Sequence, residues 1–126
     1  SYIAILKADE GSEAEAEAVQ TLRDGLRALD AYLRRHGSTD GPFLLGNRFS
    51  LAETATAPFA QRFATVLPGL RSSLDPKVMM AEDGLDRLAE WMDAVCARAS
   101  CVATLPPADD LVASYALLIE RMKGGP

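Results

Sequence analysis

The residues able to do chemistry in this chain of 126 residues are few and scattered. His36 is the one histidine, and Cys96 and Cys101 stand five positions apart. A zinc site needs about four such ligands, and a redox pair ordinarily reads Cys-x-x-Cys. No metal site is therefore expected, and both cysteines read as small buried hydrophobes, with oxidative pairing the alternative. His36 fits a cation near a helix C-terminus better than a general base. Asp109 and Asp110 read as first-turn residues of a helix, and Glu13, Glu15 and Glu17 as a solvated, dipole-favoured face. No carboxylate pair falls on an apolar face, and no catalytic residue is expected.

One short-range constellation remains: Ser50, with Glu53 three residues later. The Ser50 hydroxyl can accept from the Glu53 N–H while the Glu53 carboxylate reaches back to the Ser50 N–H. Such a capping box satisfies two orphan donors at a helix start together. A glycine-punctuated turn, Gly41 to Gly46, leads into it.

The order Phe43-Leu44-Leu45-Gly46, then Ser50, Ala52 and Glu53, then Ala57-Pro58-Phe59 and Arg62, resembles the C-terminal helical domain of glutathione S-transferases. Two positions depart from that pattern. Glu53 stands where Asp is more usual, and Thr54 where an aliphatic residue would staple onto the residue before the cap, so that Phe49 must pack on a threonine methyl. The resemblance implies an all-α bundle of about five helices, with residues 1–126 a single domain and a thioredoxin-like domain preceding it in a longer protein.

In that family the glutathione site belongs to the thioredoxin-like domain. Glutathione would be a co-substrate of the parent protein, and this domain would bind no cofactor. It would supply the apolar wall that receives a small hydrophobic electrophile, with a homodimer expected of the full-length protein. Tyr2, Phe59 and Tyr115 are the candidates for that wall, each also readable as core. The isolated chain would not catalyse. The alternative is a non-catalytic interaction module of a translation elongation factor or aminoacyl-tRNA synthetase complex, docking through Arg23, Arg27 and Arg34. The nearby Asp24 and Asp30 favour reading that stripe as a merely solvated face.

Composition agrees with one domain. An apolar content of 48% can bury one substantial core and leaves no room for a second. A net charge of −5 and a pI near 4.8 oppose a nucleic-acid surface, which draws its affinity from basic residues. No apolar run is long enough to span a bilayer and no signal peptide opens the chain, so a cytoplasmic protein is expected.

The apolar period is helical almost throughout, and Phe43-Leu44-Leu45 is too short and isolated for a sheet. Val19, Leu22, Leu26, Leu29 and Leu33 form one stripe of a helix over about 13–36, closed by Arg34 and Arg35 and stopped by a left-handed Gly37. Gly25 inside it suggests a close helix crossing, or a tolerated glycine. From Ser50 a helix runs to about Leu67, burying Leu51, Ala55, Phe59, Phe63, Val66 and Leu67 and bent at Pro58. Arg62 on it suits a surface pairing or a ligand carboxylate. A less regular stretch follows to about Glu82. Asp83 and Asp86 then mark a helix start, with Leu85, Leu88, Met92 and Val95 as its stripe and Trp91 in the core. Thr104 to Pro107 interrupts. The last helix, from Ala108 to about Lys123, aligns Leu111, Tyr115, Leu118, Ile119 and Met122, and Gly124 to Pro126 ends it. The apolar opening Tyr2 to Lys7 has no cap and reads as the end of a longer element. It should leave an apolar patch exposed where that helix and another domain would pack.

Overall fold

Ser12 starts the longest helix, α2 (Glu13–His36), by accepting the Glu15 N–H on its hydroxyl at 3.2 Å. Acidic residues fill the first turn and Arg34, Arg35 and His36 the last, both in the sense the helix dipole favours. The helix does not stop on a left-handed residue. Gly37 is extended, at φ −76° and ψ 152°, and glycine is required there because a Cβ would collide with the Leu33 carbonyl. Leu26 and Leu33 are buried as expected, whereas Leu29 is 54% exposed and the buried place next to it belongs to Asp30. Gly25 faces open space, so no close crossing explains it.

The structure, a computed structural model, describes residues 2–124, apart from the side chain of residue 99. Gly125 and Pro126, expected to end the last helix, lie outside the described residues, as does Ser1. Among the described residues there are seven helices. Besides α2 these are α1 (Tyr2–Lys7), α3 (Leu51–Leu70), α4 (Pro76–Glu82), α5 (Asp86–Ala97), α6 (Ala99–Thr104) and α7 (Ala108–Gly124). Only an isolated bridge between Phe43 and Gly46 is strand-like among them.

The excess over about five helices has local causes. Asp75 caps Pro76 and its successors by accepting the Lys77 N–H at 2.9 Å, making α4 from a stretch whose apolar pattern was too short to read. Asp83 ends α4 rather than beginning the next helix. An extended Arg98 (φ −62°, ψ 131°) cuts α6 from α5.

The central helix is α3, which packs against α1, α4, α5 and α7. It runs through both Pro58 and Pro68. Each removes one backbone N–H from the ladder, a cost of roughly 3 kcal/mol that surrounding packing must offset. Phe63, Val66 and Leu67 are buried with Ile5, Leu6, Leu88 and Val95. The first half of the helix is turned otherwise than the stripe suggested. Leu51 and Phe59 are 82% and 67% exposed and Ala55 is exposed, while Glu53, Ala57, Ala60 and Gln61 face inward. On α7, Leu111 and Ile119 are buried and Tyr115 half-buried, but Leu118 and Met122 lie on the surface. Trp91 packs half-buried against the core.

Two polar ties lock the helices together. Asp30, buried on α2, accepts the Leu88 N–H at 2.9 Å and so caps α5, whose own N-cap Leu85 has no oxygen to offer. Its other oxygen takes Arg34 Nε at 2.6 Å. Arg71, after α3, donates to Glu15 at 2.9 Å and to the Ala8 carbonyl at 2.8 Å beyond α1. One guanidinium thereby joins three helix ends.

Candidate functional site

Glu53 is the most constrained polar residue of the fold. It is completely buried, and one oxygen accepts the Leu44 N–H at 2.7 Å. The other accepts a short hydrogen bond donated by the Ser50 hydroxyl. The expected capping box is therefore only half right: Ser50 occupies the N-cap position but its side chain caps no N–H. The hydroxyl turns to the carboxylate instead, because a buried carboxylate without a cation needs every donor within reach. Burial opposes its charge, yet the donors from Ser50 and Leu44 outweigh burial and hold the carboxyl below its ordinary 4.5.

Leu44 belongs to a tight turn in which Phe43 and Gly46 exchange both backbone hydrogen bonds, at 3.0 and 3.1 Å. Gly46 has φ +90°, a conformation open to glycine. Arg87 of α5 holds the same loop by donating to the carbonyls of Pro42 at 2.7 Å and Phe43 at 3.1 Å. Phe49 meets Phe43 edge to face at 5.4 Å and lies under the Arg98 guanidinium at 3.9 Å.

The candidate wall residues divide. Tyr2 lies 5.6 Å from Phe63 and 6.5 Å from Tyr115, an aromatic cluster where α1, α3 and α7 meet. Burial, reinforced by a hydrogen bond with Tyr115, pushes the Tyr2 phenol above its ordinary value. Phe59 is outside this cluster and exposed, one turn before Phe63 on the same side of α3. Arg62 is also exposed and makes no ion pair among the described residues. The spacing of Phe63 marks core as strongly as wall. Its pairing with Tyr2 depends on where α1 returns.

The arginine stripe offers no free docking face. Arg23 binds Glu82 and Asp83, both at 2.9 Å, Arg27 pairs with Asp24 at 3.2 Å and Asp83 at 3.4 Å, and Arg34 pairs with Asp30. Two of these partners, Glu82 at the end of α4 and Asp83 just after it, lie about sixty residues from Arg23 in sequence and are invisible to a helix-face reading. Glu15 likewise is no solvated residue, being bound to the Gly11 N–H and to Arg71, which together hold its carboxyl low.

Both cysteines are free, Cys101 buried and Cys96 half-buried. Burial, with Asp93 nearby, pushes the Cys96 thiol up, so it stays protonated near neutrality. Among the described residues no cluster of His, Cys, Asp and Glu could hold a metal. No described helix is long and apolar enough to cross a membrane.

The architecture is that of an all-helical domain built round one central helix whose start is tied to the preceding glycine turn. The chain matches the family model of the glutathione S-transferase C-terminal domain over residues 12–94, and it belongs to that family. No curated protein and no solved structure matches it. The matched span holds Ser50, Glu53, the turn and all of α2 and α3, while Tyr2 and Tyr115 lie outside it.

Proposed function

We propose that the chain is the electrophile-side domain of a glutathione S-transferase-like enzyme. The observation that carries this reading is the apolar stripe of α3. Leu51, Ala55, Phe59 and Phe63 follow at four-residue spacing on one side of the helix, the first three exposed. The stripe runs into the Tyr2 and Tyr115 cluster. Among the described residues none buries Leu51, Ala55 or Phe59, and such a face suits both an adjoining thioredoxin-like domain and an apolar substrate.

On this reading glutathione and the group that stabilises its thiolate are held by the adjoining domain. The residues here contribute binding area and exclude water, with Tyr2 and Tyr115 offering hydroxyl-edged aromatic surface and Phe59 the outer lip. The full-length protein is a cytoplasmic homodimer.

The test is the intact mass of the endogenous polypeptide, followed by an assay of glutathione conjugation to an aryl chloride with that protein. A mass greater than 13.5 kDa by roughly a 100-residue domain, with conjugation, is expected. Phe59→Ala and Tyr115→Ala should each raise KM for the aryl chloride several-fold and leave KM for glutathione in place. A mass of 13.5 kDa without conjugation would overturn the reading in favour of an interaction module.

A further inference from the structure

Helix α2 carries a second line of residues, uncharged and turned away from the core. Gly25 stands at the middle of its 24 residues, is exposed, and has nothing within 4 Å of the place a Cβ would take, so no described residue packs over it. Toward the C-terminus the line continues through Leu29 and Tyr32, each 54% exposed, to His36, whose ring meets that of Tyr32 at 4.7 Å. Toward the N-terminus it holds only small side chains, those of Thr21, Ala18 and Ala14, the first and last exposed and Ala18 half-buried. Steps of three and four keep these positions within about 40° of one line along the helix, roughly 90° round from the buried Leu26 and Leu33.

The two halves of the line fit each other. When a second copy is set antiparallel with Gly25 on the two-fold axis, Leu29 falls opposite the partner's Thr21, Tyr32 opposite the partner's Ala18 and His36 opposite the partner's Ala14. The members of each pair are equally far from Gly25, by four, seven and eleven positions. A large side chain meets a small one at every level, and the two glycines let the backbones approach closely. Charge selects the direction. Glu17 and Arg35 both lie about 80° to the same side of the line, are exposed, and make no ion pair among the described residues. Antiparallel packing brings each Glu17 beside the partner's Arg35, twice by symmetry, whereas parallel packing would set like charges together on that flank.

We infer that α2 pairs with α2 of a second copy of this chain, antiparallel and crossing at Gly25. A face about 36 Å long and one helix wide is smaller than the ~800 Å² per partner of a standard interface, so the pairing is a weak, reversible association. It gives a face to the homodimer of the reading above but does not rest on that reading, since it needs neither glutathione nor an adjoining domain.

Sedimentation equilibrium of the 126-residue chain from micromolar to millimolar concentration should show a mass rising from 13.5 kDa toward twice that value. Glu17→Arg and Arg35→Glu should each weaken the association about tenfold, by replacing two attractions with two repulsions, and the doubly reversed chain should recover it. Gly25→Leu should abolish it while folding at least as stably, as checked by circular dichroism, because leucine favours the helix and meets open space there. A chain that stays at 13.5 kDa throughout, an association that Gly25→Leu leaves intact, or a doubly reversed chain that associates no better than the single reversals would overturn the assignment. None of these results bears on glutathione conjugation, which the assay above decides separately.

Discussion

Two places in this chain share the pattern Ser-x-x-Glu, Ser12 to Glu15 and Ser50 to Glu53, and each stands at the start of a long helix. At the first, the serine hydroxyl caps a backbone N–H and the glutamate bridges to Gly11 and Arg71. At the second, the serine hydroxyl donates to the glutamate, which reaches the Leu44 N–H of the preceding turn. The difference lies in surroundings and not in the motif. Glu15 is half-buried and finds a guanidinium. Glu53 is wholly buried, has no cation partner among the described residues, and collects neutral donors instead. The first arrangement starts a helix and the second joins a helix to a loop.

The comparison is tested most severely by deleting each carboxylate. Glu53→Ala leaves the Leu44 N–H and the Ser50 hydroxyl unpaired inside the protein, and should lower the unfolding free energy by about 3 kcal/mol. Glu15→Ala leaves Arg71 its carbonyl partners and access to water, and should cost about 1–1.5 kcal/mol. Urea denaturation followed by circular dichroism measures both, and equal losses would dissolve the distinction.

Acid separates the two sites again. Both carboxyls are held below the ordinary 4.5, so the folded state prefers them charged. Their contribution is complete above that value and is lost as pH falls through the lowered folded values. Urea midpoints measured from pH 7 downward should therefore fall below about pH 4.5. Glu53→Gln should flatten that fall more than Glu15→Gln.

A double-mutant cycle sharpens the contrast. Ser50 acts through Glu53, so Ser50→Ala and Glu53→Ala should be non-additive by about 1 kcal/mol. Ser12 caps the backbone independently of the Glu15 side chain. Ser12→Ala should cost about 1 kcal/mol, and with Glu15→Ala the losses should add within about 0.5 kcal/mol. The smallest effect belongs to Gly25 in the helix that Ser12 starts. It faces open space, and Gly25→Ala should raise the unfolding free energy by about 0.8 kcal/mol. A loss there would show a contact that the open space denies.

Of the candidate site, the sequence showed the turn, the N-cap position and the identity of the family. It did not show that the Glu53 carboxylate also takes the Leu44 N–H, because a capping box and a buried tether have the same spacing. Ser12 to Glu15 carries that spacing too and was legible by the same rule, yet the acidic run around it reads as a solvated face. The stripe of α3 reads well over Phe63, Val66 and Leu67, where α1 and α5 cover it, and fails over Leu51, Ala55 and Phe59, which stay exposed among the described residues. Apolar periodicity marks a face that wants cover without saying which neighbour supplies it.

Helical period settled by itself that the chain is all-helical, and the residues of the turn and cap carried the resemblance to its family, since these are local properties of residues a few positions apart. Tertiary structure alone decided that Asp30 caps α5, that Asp83 gathers two arginines of α2, that the Gln61 amide nitrogen is buried without a partner among the described residues, and that Phe59 stays exposed. Each of these rests on groups brought together from distant parts of the chain or left uncovered by them. Hydrogen bonds and burial are satisfied by whichever partner the packing delivers, and sequence separation carries no record of it.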